Sequence, residues 1–518
     1  METRMRYDDV AWETSDRVAD AWALYILNQD IFQDIGNFLL KHHHATDPVE
    51  FTILETGAFN TALQMNFERT RAAIIRFPLP GAIMFPEEKV RNEVSTMRFI
   101  ADKTTIPIPF IIHSGGKKDS PSELGPFIIM EYIDHHANLI DILKKPGRPT
   151  QERVTLDPDI SRAKLKTLYK ELAKVLVSLS TLSQDKIGSF CQVDDFTWEV
   201  ACRPLSLHMN ELVRLGTLPQ SKLPATTFDT ASSYFEALAE LHISHLTSQR
   251  NDAVHSIEDC QRKFVARFLF RKLIRDPNLK AQWISFENGP FPIWCDDFRP
   301  GNVLVDIDLN ITGVVDWEFT YTAPVEFTHA PPWWLLLEKP EYWSQGLDDW
   351  CIEYEKRLQI YLEAMVEHEE DVIRKGQLAE SKRLSSAMRR SWENGDFWIM
   401  YAARNNFAFD AIYWQKIDKR FFGSTTCEGV DVCDIWKSRL HLLEPEEQKF
   451  MQEHVDTKIQ EMEAGQVLAW DPDEYTLEYM ECMERTNGPS SRWCWISCAF
   501  FLHYPFFPPQ GVFAEVDS

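Results

Sequence analysis

Residues 291–319 read FPIWCDDFRPGNVLVDIDLNITGVVDWEF, a run of apolar, strand-forming side chains interrupted by oxygen-bearing ones. Asp297 and Asn302 are separated by four residues that include Pro300 and Gly301, so a tight loop can turn both side chains toward one cavity. Two β-branched strands joined by the turn Asp308-Leu309-Asn310 then return the chain and deliver Asp316 beside them. Phosphoryl transfer asks little covalent chemistry of a protein. It needs a carboxylate to orient the nucleophile and hard oxygen ligands to hold magnesium against the phosphates. Asp297, Asn302 and Asp316 supply that set, and Arg299, two residues after Asp297, is placed to offset charge in the transition state.

The run Asp297-Phe298-Arg299-Pro300-Gly301-Asn302 followed by Asp316-Trp317-Glu318 resembles the catalytic signature of the aminoglycoside phosphotransferase family, in the form found in many fungal proteins. That family is similar in fold to protein kinases and choline kinases. The resemblance implies an α+β, protein-kinase-like, two-lobed fold with a small β-rich N-lobe and a larger, mostly helical C-lobe. It implies Asp297 as catalytic base, Asn302 and Asp316 as magnesium ligands, and ATP or GTP as phosphoryl donor. In the N-lobe, Gly57 sits in the turn where such a lobe folds backbone over phosphates. Arg76, on the strand AAIIRFP, stands at the place of the phosphate-gripping Lys, with Glu93 as its ion-pair partner and Glu88 as a rival. The stretch Met130-Glu131-Tyr132-Ile133 resembles the connector between kinase lobes, where backbone groups of Glu131 and Ile133 would hydrogen-bond adenine. The chain departs from the family twice. Arg76 replaces a Lys and grips phosphates through a planar, always charged group, and Cys295 stands where the family has a His that supports the loop.

Around this centre the periodicity changes along the chain. Residues 10–45 read as helix, with Trp12, Val18, Ala21, Leu24, Tyr25, Ile31 and Phe38 on one apolar face. His42, His43 and His44, at neighbouring positions, cannot share a helical face and form no metal site. From residue 50 short strands follow, with a turn at Glu68 to Thr70 and a β-branched strand ending at Pro78. A helix then begins near Pro86, with Glu87 and Glu88 in its first turn. Beyond residue 135 the pattern is mostly helical, as in residues 168–183, 232–248 and 354–375, with one β interruption standing out, VLVDIDLNITGVVDW at 303–317. The expected domains are an N-terminal helical extension (1–49), the N-lobe (50–133), the C-lobe (134–488) and a poorly ordered tail (489–518). The aromatic stretches APPWWLLLEKPEYW and FWIMYAARNNFAFDAIYWQKID read as core, with an acceptor-pocket lining as the alternative.

A formal charge of -25 argues against nucleic acid as a partner, because a phosphate backbone needs concentrated Lys and Arg. Ten Cys without a CxxC pair or zinc spacing, Cys494 and Cys498 included, point to a reduced compartment. The N-terminus has neither a secretion-signal core nor transit-peptide composition, and no segment has the length of a membrane span. The expectation is therefore a cytoplasmic phosphotransferase acting on a small-molecule hydroxyl acceptor, with no membrane partner. A catalytically impaired kinase-like binding or scaffold protein is the alternative. A protein kinase ranks lower, since no Ala-Pro-Glu element follows Asp316 and the stretch Glu318 to Ala330 is short for an activation loop.

Overall fold

The computed structural model describes residues 4–44, 47–147, 152–423 and 432–486, so the expected tail 489–518, with Cys494 and Cys498, lies outside the described residues. The chain divides into two compact units. One comprises Asp16–Val90, Pro109–Tyr132 and Asp473–Ser518, the other Met1–Ser15, Arg91–Ile108 and Ile133–Pro472.

The first unit is built on five strands, β1 Pro48–Thr56, β2 Asn60–Phe67, β3 Ala73–Pro78, β4 Ile111–Gly115 and β5 Phe127–Glu131, in the order β1-β2-β3-β5-β4. Every neighbouring pair is antiparallel. Alternation in β2 (Leu63, Met65, Phe67) and the near-continuous apolar run of β3 put Ile75 and Phe77 into a core with Phe127 and Ile129. Two helices contribute to this core, α1 Asp9–Tyr25 through Trp22 and α2 Gln29–His43 through Ile35 and Leu39. Residues 10–45 were expected as one helical segment, and the break falls at 26–28. Asn28 leaves helical geometry and its side chain accepts from the Asp30 N–H at 3.0 Å, an N-cap that starts a new helix. The three histidines go separate ways. His42 stacks on His113, His43 on Phe67, and His44 ends α2 in the left-handed region. The helix Glu474–Thr486 returns to this unit, where the Tyr475 hydroxyl accepts from the Trp22 indole at 2.7 Å.

The second unit is mostly helical, and the α+β class read from the sequence holds. It takes most of α3 Pro86–Lys103, followed by β6 Ala137–Asn138, α4 Leu139–Leu143, α5 Arg162–Ser180, β7 Ser183–Gln184, β8 Ser189–Asp194, β9 Thr197–Cys202, α6 Leu207–Gly216, α7 Ala231–Ser248 and α8 Ile257–Arg275. Next come β10 Phe291–Cys295, β11 Val303–Val305, β12 Ile311–Val314 and β13 Thr320–Thr322, with further helices after them. The 303–317 segment is thus not the one β interruption, since β6 to β10 and β13 lie outside it. β13-β10-β7 and β12-β11-β6 form three-stranded sheets, and β8 pairs with β9. β6 and β7 are two-residue strands, too short to show a period, and only their long-range partners make them strands. The β8–β9 hairpin does alternate, and its Phe190 and Trp198 meet Phe99 of α3 at 4.5 and 5.7 Å between ring centroids. The aromatic stretch from Phe397 is largely buried, including Phe397, Ile399, Phe409 and Tyr413.

At the centre of this unit Arg267 and Asp410 are both completely buried, joined by two hydrogen bonds of 2.8 and 3.1 Å. Arg267 also donates to the carbonyls of His242 and Lys263. Removing the carboxylate leaves an uncompensated guanidinium in the core. Asp410→Ala is therefore expected to lower unfolding stability by about 3–5 kcal/mol in urea titration, whereas the loss of a mere packing contact would cost far less.

Candidate functional site

β10 runs antiparallel to β13, with Cys295 opposite Thr320. The chain then leaves the strand at Asp296, makes one short turn of 3-10 helix at Pro300–Asn302 and enters β11. Pro300 supplies the fixed φ that opens this turn, and the Asn302 N–H closes it on the Arg299 carbonyl at 3.0 Å. The Asn302 side-chain nitrogen donates twice to Asp297, to its carbonyl at 2.8 Å and its Oδ2 at 3.0 Å. Arg299 Nε donates to the other carboxylate oxygen at 2.9 Å. Asp297, Arg299 and Asn302 are thus brought together as one hydrogen-bonded cluster. Burial pushes the Asp297 carboxyl up from its ordinary range, the Arg299 guanidinium pulls it back, and Glu318 pushes it up again.

The hairpin closes on this loop. The Val315 N–H donates to the Asn302 carbonyl at 2.9 Å, so Asp316 begins beside Asn302. Asp316 and Phe319 both have positive φ, 56° in each case, which turns the chain sharply out of β12. Trp317 is fully buried and its indole donates to the Val314 carbonyl at 3.0 Å, so the turn is held from inside the core. The Asn302 side-chain nitrogen is spent on Asp297, and its oxygen accepts no hydrogen bond from any described residue. An amide oxygen with a neighbouring carboxylate is a hard-oxygen donor pair, and it suits magnesium.

The remaining expected site residues lie on both units. Gly57 is in the β1–β2 turn, exposed, with its N–H on the Asn60 carbonyl at 2.9 Å. It has no positive φ, and an added Cβ would meet only that carbonyl at 3.7 Å, so nothing in this turn requires a glycine. Arg76 is buried on β3 of the first unit, and Glu93 is buried on the part of α3 that belongs to the second. Glu88, the rival, is half-buried one turn earlier. Glu131 ends β5 with its N–H on the Phe110 carbonyl at 2.9 Å, and its carboxylate pairs with Arg71 at 3.3 Å. Ile133 opens the next segment of the second unit. Its N–H donates to no described backbone group, while its carbonyl is taken by His135. The Ile133 side chain packs against Gly313 of β12, where an added Cβ would approach it to 2.7 Å. β6 then pairs with β11, which ties this segment to the same hairpin that carries Asn302 and Asp316.

Several residues around the loop carry no motif. Asp296, next to Asp297, accepts from the Trp294 indole at 2.6 Å and from the Leu207 N–H, the first residue of α6, at 3.2 Å. Arg404 lies 3.8 Å from Asp296 and sits over the rings of Trp294 and Phe327 at 4.4 and 4.7 Å. Asp296, Phe298, Trp333, Tyr401 and Arg404 line one cavity. Burial raises the Asp296 carboxyl, and Arg404 opposes the rise. Cys295 is buried, and burial raises its thiol, which is a supporting side chain without reactive character. The one sequence signal at Asp296 was a second acidic residue in an apolar strand end.

A profile of the Phosphotransferase enzyme family matches residues 50–327. The chain is 22% identical over 308 residues to Altered inheritance of mitochondria protein 9, mitochondrial, of Clavispora lusitaniae, a match covering 54% of this chain and 49% of that one. It is 21% identical over 313 residues to the protein of the same name from Debaryomyces hansenii, covering 54% and 48%. The chain spans about half the length of the curated relatives it matches. Among solved structures, a thermostable aminoglycoside phosphotransferase in ternary complex with AMP-PNP and hygromycin B matches at 14% identity and a TM-score of 0.37, covering 72% of this chain and 97% of that one. An ethanolamine kinase from Plasmodium vivax matches at 11% identity and a TM-score of 0.38, covering 84% and 95%. Among the described residues, no helix is long and apolar enough to cross a membrane.

Helix α6, which Asp296 anchors, also carries His208, whose Nε2 lies 2.6 Å from Asn406 Oδ1. Burial lowers His208 to about 4, and it holds His242 and His245 on α7 well below their ordinary range. The unfolded chain takes a proton on His208 near its ordinary pKa of 6.5, and the folded chain only near 4, so between these values the unfolded state binds more protons. Stability from this group is present above pH 6.5 and lost as pH falls toward 4. The urea midpoint is expected to drop over that window. In His208→Gln the drop should be shallower, even where the variant is less stable throughout; equal slopes would place the proton uptake elsewhere.

Proposed function

The chain belongs to the phosphotransferase enzyme family, since the match from 50 to 327 takes in more than half of its 518 residues, and on that premise we propose that it transfers the γ-phosphoryl group of ATP or GTP to a hydroxyl of a small molecule in a magnesium-dependent reaction. The observation that carries this reading is the double hydrogen bond from the Asn302 side chain to Asp297, which fixes the carboxylate and leaves the amide oxygen with no donor among the described residues. In the transfer, the acceptor oxygen forms the new bond to the γ-phosphorus and the bond from that phosphorus to the β–γ bridging oxygen breaks. Asp297 orients the hydroxyl and takes its proton. Arg299, bonded to Asp297 Oδ1, steadies the carboxylate and carries positive charge at the loop. Asn302 and Asp316 would hold magnesium, which when bound neutralises charge on the phosphates. This reading assigns to the nucleotide Arg76 and the backbone of Gly57 and Glu131 on the first unit and, separately, Glu93 and the backbone of Ile133 on the second. The free N–H of Ile133 is the donor that an adenine or guanine ring would need.

One observation favours a second reading, a kinase-like binding protein without turnover. Both Asp297 carboxylate oxygens are already engaged, by Arg299 and Asn302, and Cys295 gives the loop a softer support than a ring would. The two readings separate on one variant. Asp297→Asn is expected to lower kcat by about 10²–10⁴-fold while nucleotide affinity stays within a few-fold. Turnover equal to that of the unmodified chain would remove Asp297 from the mechanism.

Nucleotide binding is tested by thermal unfolding with ATP or GTP, with and without magnesium. At about 100-fold excess over Kd the nucleotide should add roughly 2.7 kcal/mol of stability, and Asp316→Asn should remove the part that depends on magnesium. No stabilisation by either nucleotide would exclude the enzyme reading. Residence in the cytoplasm is our proposal for location. The two relatives named as mitochondrial supply the competing one, and cell fractionation of the full-length protein decides between them.

A further inference from the structure

Asp297 is held by its own loop, and the loop is held at its start by Asp296. The Asp296 carboxylate accepts at both oxygens, from the Trp294 indole at 2.6 Å on Oδ1 and from the Leu207 N–H at 3.2 Å on Oδ2. Its own N–H donates to the Phe319 carbonyl at 3.3 Å, at the end of the turn that carries Asp316. One residue thus fastens the start of the loop to β10, to the first turn of α6 and to the turn after β12. Only an ionised carboxylate can do this with both oxygens, because a protonated one would set an O–H donor against one of the two N–H groups.

Ionisation at this place is unfavourable by itself. Burial raises the Asp296 carboxyl most, and the neighbouring Asp297 carboxylate adds to the rise. The charge that opposes both comes from Arg404, whose Nη1 lies 3.8 Å from Asp296 Oδ1. The two side chains are 14% and 7% exposed, so little water screens the pair. At that distance Arg404 contributes charge, not a hydrogen bond. Cys295, Tyr234 on α7 and Tyr321 on β13 also feel Asp296, but burial pushes all three up, so they stay neutral and offer no counter-charge. Arg404 is itself fixed. Its Nε donates to the Met400 carbonyl at 3.1 Å, in the helix Asp396–Ala403, and its guanidinium lies over the Trp294 and Phe327 rings at 4.4 and 4.7 Å. It stands beyond residue 327, outside the family match.

We propose that Arg404 is a positioning residue for phosphoryl transfer: its charge secures the double acceptance at Asp296, which pins the start of the loop and so fixes where the Asp297 carboxylate stands. The inference rests on the proposed role of Asp297 for its effect on turnover, but not for its geometry. Among the described residues Arg404 bonds to Met400 and pairs with Asp296, and it has no bond to Asp297 or Asn302, so it reaches the reaction only through Asp296. A displacement of about 1 Å at a reacting group costs on the order of a hundredfold in rate.

The test takes water as the acceptor: phosphate release from ATP by the full chain with magnesium. The water oxygen bonds to the γ-phosphorus, the bond to the β–γ bridging oxygen breaks, and a water proton passes to Asp297. Arg404→Met should lower kcat by about ten- to a hundredfold with KM for ATP within about twofold. Arg404→Lys keeps the charge and should hold kcat within about threefold of the unmodified chain. Asp296→Asn should lower kcat as Arg404→Met does, and the double variant should fall no further than Asp296→Asn alone, because the two residues act in series. Arg404→Gln gives the same comparison where circular dichroism shows that Arg404→Met fails to fold. Losses that multiply in the double variant, a loss carried by KM, or no recovery with lysine overturns the proposal. If the unmodified chain releases no phosphate, the failure belongs to the phosphotransfer reading, and crystal structures decide the positioning. In Arg404→Met the Leu207 contact to Asp296, 3.2 Å here, should open beyond hydrogen-bond distance, and the Asp297 carboxylate should move by about 1 Å against β10. An unmoved Asp297 overturns the positioning role.

Discussion

The Asn302 carboxamide is the point on which the loop depends. Its nitrogen holds Asp297 by backbone and side chain at once, and the backbone carbonyl of the same residue receives the Val315 N–H from the returning strand. One residue thereby fixes the position of a carboxylate and the start of the turn that carries Asp316. A buried asparagine offers two donors and an acceptor in one plane, and here each donor bond restrains something else. An aspartate at 302 would keep the metal ligand but lose both donations, setting two carboxylates against each other. The amide is therefore required by the loop geometry as well as by any ion.

Adjacent residues of this loop have opposite jobs. The Asp297 carboxylate is gripped by its own loop, by Arg299 and Asn302. The Asp296 carboxylate is gripped by the scaffold, by the Trp294 indole, the first N–H of α6 and, at longer range, Arg404. Both residues lie in the turn that follows β10, and their carboxylates take different partners. Asp296 thus connects the Asp297 loop to α6, the helix that also carries Glu211.

What the sequence disclosed follows from how local each feature is. The loop, the 303–314 hairpin, the β3 strand and the helix from Pro86 are written in contiguous residues, with a proline at the first helical position, an Asp-Leu-Asn turn, and alternating or continuous apolar runs. Each was legible because its pattern is carried by contiguous residues, even where, as for β3 and β5, the ladder closes more than fifty residues away. The β6 and β7 strands were not, since two residues have no period. Asp296 was equally silent, as its α6 partner is 89 residues upstream. Tyr7 and Tyr342 are 335 residues apart, and nothing in either neighbourhood announces the other. The same limit explains Gly57. A glycine between two strands looks like a conformational requirement, but its φ and the open space around it show an ordinary turn.

Burial raises Asp296, Asp297 and Glu211 together, and these acids differ in what opposes the rise. Asp297 has a guanidinium bonded directly to it, Asp296 an arginine at 3.8 Å with its charge spread over two rings, and Glu211 only Lys339 and Arg214. The residue proposed to accept a proton must be ionised when the acceptor arrives, and the directly bonded Arg299 favours that form. A guanidinium bonded directly to Asp297 opposes the rise that burial and Glu318 impose on its carboxyl.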